Sequence, residues 1–334
     1  MAESEMSKKW VTVMGSFVAD LAFRIDRVPA WGETLMGQSF KLGPGGKGSN
    51  QAVAAARAGG KVSFISKLGP DPFGDMARGL YETEGIDTQF LFRTSSATGA
   101  AAIIVDAAKG ENAIIVVPGA CFEVTTSEVD QARELIAASS IFVAQLELSL
   151  PVVEYGLALA HALHVPTILN PAPAQPLPES IYRHIDYITP NETETAALTG
   201  IAVATVADAE KAADAFLARG VRNAIITLGA QGAFVKSAQV SAHVPAIDAG
   251  KVVETTGAGD AFNGGLAVAL SEGMDLVAAA CFGCATAGIS ITRHGTARPP
   301  CPPAQKSTRC SSNTPPANPD STPKVPCPIL SLFF

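Results

Sequence analysis

From Trp10 onward the chain alternates short apolar runs with longer stretches in which apolar residues recur every three or four positions. Runs of strand length fall at 10–15, 62–68, 141–144, 167–170, 187–189 and 223–228. Between them the helical period predicts helices over 49–58, 73–84, 126–138, 151–163, 192–199 and 207–219. Strands alternating with helices of this length give βαβ units and an α/β fold with a mostly parallel sheet. Two stretches break the rhythm. Residues 34–42 read as extended with no crossover helix of their own. Segments 99–106 and 113–118 flank Ala107-Ala108-Lys109-Gly110-Glu111-Asn112, which reads as a hairpin turn. Together they predict a small antiparallel β-sheet inserted into the α/β body. Such a sheet serves as a lid over a site, or as a dimer interface, since its apolar face and edges need covering.

Composition narrows the classes. Of 334 residues, 47% are hydrophobic and 16% charged, which excludes disorder over the whole chain. Six cysteines are too few for a disulfide scaffold, and Cys281-x-x-Cys284 lies in an Ala-rich apolar stretch that reads as core. The net charge of −7 argues against a nucleic-acid partner. The first nine residues carry Glu3 and Glu5 where a secretory segment is basic. The apolar stretch 276–291 contains Gly, Ser and Thr, falls short of the ~20 residues that span a bilayer, and reads as a buried helix. A cytoplasmic location with no membrane partner is expected.

The last stretch departs from this pattern. Of 23 prolines, ten lie at or beyond Pro299, and Cys301, Cys310 and Cys327 lie there too. Proline at that density prevents helix and central strand alike. The body is expected over 8–297. Residues 298–334 are expected to form an irregular, disordered tail, from a shifted reading frame or a divergent terminus.

Two glycine-rich loops carry the candidate chemistry. In the first, Gly43-Pro44-Gly45-Gly46-Lys47-Gly48-Ser49-Asn50, the spacing matches a dinucleotide fingerprint superficially. The strand before it does not open a βαβ unit, and the acid about 20 residues on, Asp71, lies in Gly-Pro-Asp-Pro beyond the next strand. A plain helix-capping turn is the other structural reading. The polar set Lys47, Ser49 and Asn50 at a helix start favours a ligand brought close to backbone N–H groups. The second loop is Glu254-Thr255-Thr256-Gly257-Ala258-Gly259-Asp260, opening a helix over 258–270. Its N–H groups and the helix dipole form an anion hole. Asp260 in the first turn either complements the dipole or takes a proton from a hydroxyl whose oxygen attacks the held group. The second use describes phosphoryl transfer to an alcohol. Asn191 and Glu194, which follow Thr189-Pro190, read as a capping box, or as two groups that orient a hydrated Mg²⁺.

These residues together resemble the ribokinase-like, PfkB-type family of sugar kinases. Gly45 to Ala52 looks like its sugar-binding signature, Thr256 to Phe262 its anion-hole and catalytic signature, and Asn191 to Glu194 its metal and phosphate motif. Asn170-Pro171-Ala172-Pro173-Ala174 and Thr227 to Gly232 are similar as well. The resemblance implies a three-layer α/β/α sandwich with lid strands within about 18–42 and 91–118. It implies an ATP-dependent sugar kinase that phosphorylates the 5-hydroxyl of D-ribose, with Asp260 as general base and Gly257, Ala258, Gly259 and Asp260 as the anion hole. Asp20, Gly46, Lys47, Asn50 and Glu147 would hold the sugar. Asn191, Thr227, Gly229, Gly232, Gly259 and Cys284 would line the ATP site. Mg²⁺ would be positioned through water by Asn191 and Glu194, and K⁺ by Glu254, Thr256, Ile291, His294 and Gly295. The lid strands would pair into a homodimer.

One departure bears on the sugar. The family's first sugar loop usually carries Asn-x-Asp, whereas this chain reads Val18-Ala19-Asp20. Losing an amide there makes 2-deoxyribose or another furanose or ketose an alternative acceptor. A phosphosugar needs more cations than Lys47 and Arg24. The other classes weighed are a nucleoside kinase of the same family, a sugar-binding protein without catalysis, and a Rossmann oxidoreductase.

Overall fold

The computed structural model describes residues 10–108 and 111–293. The elements run β1 (Trp10–Met14), β2 (Val18–Ile25), β3 (Ser39–Gly45), α1 (Lys47–Arg57), β4 (Lys61–Leu68), α2 (Pro72–Glu84), β5 (Leu91–Arg93), β6 (Thr98–Asp106) and β7 (Asn112–Gly119). After a 3₁₀ turn come α3 (Thr126–Gln131), α4 (Arg133–Ala137), β8 (Ser139–Gln145), α5 (Leu150–Ala162), β9 (Thr167–Asn170), β10 (Tyr187–Ile188), α6 (Glu192–Thr199) and α7 (Val206–Ala218). The chain continues through β11 (Asn223–Thr227), β12 (Ala233–Lys236), β13 (Ser241–Val244), α8 (Ala258–Ser271) and α9 (Leu276–Ser290).

Nine strands form the main sheet in the order β13-β12-β11-β10-β9-β8-β1-β4-β5. Pairing is parallel from β11 to β5, and β12 alone is reversed, pairing antiparallel with β11 and with β13. Side chains alternate across its faces, as strand geometry requires. Phe142 and Ala144, with Ala224 and Ile226, face a core shared with α3, α4, α5 and α7. Ile141 and Val143, with Val11, Val13 and Ile225, face a second core shared with α1, α2, α8 and α9. A sheet buried on both faces is the three-layer α/β/α sandwich. Within the second core α8 lies between two neighbours through glycines. A Cβ on Gly264 would lie 2.6 Å from Ala54 Cβ on α1, and one on Gly265 2.3 Å from Thr286 Oγ1 on α9.

The second sheet has the order β3-β2-β6-β7. It is mixed rather than purely antiparallel, because β2 pairs with β6 in parallel. Of the extended stretch expected at 34–42, only the part from Ser39 is strand, and the strand continues to Gly45. Leu91–Arg93, inside the expected lid range, instead pairs with β4 at the edge of the main sheet. Asp71 ties the two sheets together. Its Oδ1 accepts the Gly74 N–H (2.9 Å) as N-cap of α2, and its Oδ2 accepts the Thr98 N–H (2.6 Å) at the start of β6. That structural role removes Asp71 as a dinucleotide-binding acid.

The helix expected over 126–138 is broken at Ala132 (φ −88°, ψ 5°), where no proline or glycine signals a break. Cys281 and Cys284 are buried on α9, as their apolar setting implied. Among the described residues no helix is long and apolar enough to cross a membrane. The proline-rich tail, the first nine residues, Lys109 and Gly110 of the hairpin turn, and His294 and Gly295 lie outside the described residues.

Candidate active site

The carboxyl ends of β1, β8, β9, β10 and β11 open on one side of the sheet, where α/β folds bind ligands. The strand order changes direction there, since β1 lies between β8 and β4. Residues 15–18 leave β1 and turn into the lid. The glycine loop between β3 and α1 packs on this turn. Gly46 has φ +87°, and a Cβ there would sit 2.8–2.9 Å from Val18 N, Phe17 Cα and Ser16 O. A Cβ on Gly48 would lie 2.6 Å from Gly15 Cα. These glycines bring backbone against backbone, a packing reason that stands beside the expected approach of a ligand. The dinucleotide reading also fails here, because the loop follows a strand of the second sheet.

The packing puts Lys47 and Asn50, on the first turn of α1, opposite Asp260 on the first turn of α8. Asp260 is buried, and its two oxygens have separate donors: Asn50 Nδ2 to Oδ2 and Gln51 Nε2 to Oδ1, each 3.0 Å. Burial is the largest influence on this carboxyl and pushes its pKa up, while Lys47, Gln51 and Asn50 pull it down and Glu147 adds to the rise. Burial opposes the charge on Lys47. The surrounding Asp260, Glu147 and Glu194 outweigh it, and the Lys47 pKa lies above its ordinary value. Glu147, just past β8, accepts the Lys47 backbone N–H (2.8 Å) and the Ser16 hydroxyl. Asp20, on β2, has its pKa pushed up to about 6 by burial, then by Glu147 and Asp260. A Cβ on Gly45 would lie 2.3 Å from Asp20 Oδ2, so that glycine makes room for the carboxylate. Asp20, Lys47, Asn50, Glu147 and Asp260 thus form one interacting cluster where the second sheet meets the main sheet.

Gly257 caps α8 in a left-handed conformation (φ 79°). The first N–H groups of a helix have no partner inside it. Ala258 N–H donates to Thr255 O at 3.2 Å, so of the expected donors this one is already engaged. A Cβ on Gly259 would meet nothing within 4 Å, which leaves the approach to the helix start open.

Asn191 and Thr227 are neighbours at the ends of β10 and β11, joined by a bridge. Asn191 and Glu194 form the reciprocal cap, with Glu194 N–H on Asn191 Oδ1 (2.8 Å) and Asn191 N–H on Glu194 Oε2 (2.9 Å). Asn191 Nδ2 also donates to Glu194 Oε1 at 3.0 Å. Burial raises the Glu194 pKa most, with Lys47 opposing. Each carboxylate oxygen keeps a lone pair beyond the cap, so the pair fits a water-coated Mg²⁺, which prefers few protein ligands. Gly229 is exposed beside this edge. Gly232 has φ +93°, and a Cβ there would lie 2.1 Å from Val244 O, which gives it a packing reason of its own. Cys284 is 6% exposed in the second core, so of the residues expected near ATP it is the one the fold uses as core.

Of the residues expected around K⁺, Glu254 and Ile291 are brought together at the end of α9. Both lone pairs of the Ile291 carbonyl are engaged, by the N–H groups of Val253 (2.8 Å) and Glu254 (3.1 Å). His294 and Gly295 lie outside the described residues. Sequence reasoning also missed a group of buried polar side chains behind Asp260: Gln51, Gln145, Asn170, Thr189 and Asn263. Gln51 and Asn170 stand inside motifs already singled out, and a buried amide next to a motif residue was the available signal.

A carboxylate at a helix N-terminus, facing an acid- and amide-rich cleft, belongs to an enzyme that moves an anionic group onto a hydroxyl. The chain belongs to the pfkB family of carbohydrate kinases, whose model matches residues 8–303. It is 41% identical over 288 residues to a ribokinase of Haemophilus influenzae, covering 86% of this chain and 94% of that one. It is 35% identical over 287 residues to a deoxyribokinase of Salmonella typhi, again covering 86% and 94%. The solved structure of Arabidopsis thaliana ribokinase complexed with ribose and ATP matches with a TM-score of 0.81 at 28% identity, covering 87% of this chain and 94% of that one.

Proposed function

We propose that the chain transfers the γ-phosphoryl group of ATP to the primary 5-hydroxyl of D-ribose. Asp260 takes the hydroxyl proton and the oxygen attacks the γ-phosphorus. The bond from phosphorus to the bridging oxygen breaks, and ADP leaves. The N–H groups of Gly257, Gly259 and Asp260 hold the transferred oxygens, with Ala258 added when its turn contact opens. The observation that carries this reading is the buried Asp260 carboxylate, held by amide donors on both oxygens and set in the field of Lys47. Its raised pKa suits a base that must accept a proton near neutral pH.

Asp20, Gly46, Lys47, Asn50 and Glu147 hold the sugar. Asn191, Thr227, Gly229 and Gly259 line the nucleotide side, with Gly232 and Cys284 behind it. Asn191 and Glu194 position Mg²⁺ through water, and bound Mg²⁺ supplies charge neutralisation on the phosphates. Glu254, Thr256 and Ile291 would hold K⁺ beside the start of α8, with His294 and Gly295 outside the described residues. The lid pairs two copies into a homodimer. This is supported by its exposed apolar side chains: Phe23, Phe40 and Leu42, with Ile115 and Val117.

A second reading has its own support. Val18 and Asp20 are two apart on β2 and therefore share a face. An apolar group beside the sugar-binding acid suits 2-deoxyribose, and a deoxyribokinase is among the relatives. The test is ADP release with D-ribose, 2-deoxy-D-ribose, fructose, tagatose and adenosine, with and without K⁺. Sugar-dependent ADP release with ribose at the lowest saturating concentration supports the first reading. Saturation at much lower 2-deoxyribose supports the second. No sugar-dependent release overturns both.

A further inference from the structure

Behind the carboxylate lies a run of side chains that none of the roles above uses. Gln145, at the end of β8, is fully buried and donates from Nε2 to Gln51 Oε1 at 2.7 Å. Gln51 is also fully buried and divides its Nε2 between Asp260 Oδ1 and Asn170 Oδ1, both at 3.0 Å. Asn170 Nδ2 donates to the Thr189 carbonyl at 2.9 Å, and the Thr189 hydroxyl donates to Asn263 Oδ1 at 2.6 Å. Asn263 Nδ2 then donates to the Gly259 carbonyl at 2.8 Å. That carbonyl and the Asp260 N–H belong to one planar peptide group. The run therefore begins on the carboxylate of Asp260 and ends on the peptide that carries its N–H.

The direction of every link is set by its neighbours. Gln51 Oε1 is occupied by a donor from Gln145, so its Nε2 must face the carboxylate. Reversing that amide would set oxygen against carboxylate and N–H₂ against N–H₂. The members come from α1, β8, β9, the end of β10 and α8, so the run also ties the two helices to the sheet. A peptide whose carbonyl accepts a hydrogen bond becomes a stronger N–H donor.

We propose that this buried run positions the reacting groups: Gln51 holds the Asp260 carboxylate in one orientation, and Asn263 holds and polarises the 259–260 peptide, so that base and anion-hole donor face the same point. The proposal rests on the kinase reading and deepens it. Gln51 and Asn263 are positioning residues, acting through Asp260. The charged groups around Asp260 are Lys47 on α1, Glu147 after β8, Asp20 on β2 and Glu194 on α6. The Gln51 donor favours the ionised carboxylate, so its removal moves the titration of Asp260 to higher pH.

The test compares Gln51→Leu and Gln145→Met with the unchanged full chain. The hydrogen bond from Gln145 goes to Gln51, so its loss reaches the base only through that residue. Two readouts are used alongside thermal unfolding. One is the ¹³C titration of the Asp260 carboxyl carbon, assigned with Asp260→Asn. The other is the pH profile of kcat with ATP and either D-ribose or 2-deoxy-D-ribose. Gln51→Leu is expected to move the titration and the acid limb of kcat to higher pH. It is expected to lower kcat roughly 10- to 100-fold, with KM for the sugar held within about twofold. Gln145→Met is expected to move both in the same direction by less. An unchanged Asp260 titration in the folded variants overturns the proposal, whatever the melting temperature does. If Gln51→Leu does not fold, Gln145→Met decides. If Asp260→Asn keeps its turnover, the kinase reading of Asp260 falls, and the carboxyl titration still decides whether the run positions it.

Discussion

The side-chain amide of Asn50 donates to Asp260 Oδ2 at 3.0 Å across a sequence separation of 210 residues. The two residues stand on the first turns of α1 and α8, which face each other because Gly264 lets the helices touch at Ala54. One contact therefore joins the glycine loop that follows β3 to the N-terminus of α8.

Asp260→Asn is expected to keep the fold, because an amide has the same shape, its oxygen still accepts from Gln51, and the Asn50 amide turns to accept its N–H₂. Turnover is expected to fall by ~10²–10⁴-fold or more, the usual contribution of a positioned proton acceptor. Steady-state ADP release, with sugar binding measured by calorimetry, checks this. Near-normal turnover would falsify the base assignment.

Asp20 gives a pH dependence of stability. Its folded pKa of about 6 lies above the ordinary value of 3.8, so between these values the folded form binds more protons than the unfolded chain. Its contribution therefore favours the fold at low pH and is lost as pH rises through about 6. Asp20→Asn is expected to flatten that slope and to raise stability at pH 7, by on the order of 2 kcal/mol. Urea midpoints from about pH 4 to pH 7 measure it, and parallel slopes for the two proteins would sink the idea.

Gly46→Ala is expected to destabilise by ~2 kcal/mol or more. The new methyl meets a positive φ and three backbone atoms within 2.9 Å. Thermal unfolding reads the loss, and a melting temperature equal to that of the unchanged chain contradicts the packing argument.

Val18→Asn restores an amide on the face of β2 that carries Asp20. The ratio of kcat/KM for ribose over 2-deoxyribose is expected to rise roughly tenfold or more, because a hydroxyl gains a partner. An unchanged ratio means that position 18 does not read the 2-hydroxyl.

Phe40→Glu tests the lid as an interface. Phe40 is 56% exposed and its ring lies 5.0 Å from that of Phe23. A charge buried between two copies is expected to shift the chain toward monomer in sedimentation velocity. A monomeric unchanged chain would remove the dimer.

The order of strands and helices, the buried nature of α9, and the placing of Asp260 on a helix start were all legible in the sequence. Each depends on local period or on glycine and capping residues, which act within a few positions. The short strands β12 and β13 were not legible, since four residues each carry little periodicity. The break at Ala132 has no local signal either. The function of single residues was decided by long-range packing. Asp71 stands out in the sequence only as an acid misplaced for a dinucleotide fingerprint, and its role as a cap that also holds Thr98 is seen only in the fold. Gly46 and Gly48 read as room for a ligand, and only the fold shows that residues 15–18 pack against them as well. The partners of Asp260 lie 209 and 210 positions away, and that pairing exists only because the sheet order and the glycine-faced helices bring α1 and α8 together. Local pattern selects the elements. Which polar groups meet in the buried space between them is a property of the assembled core.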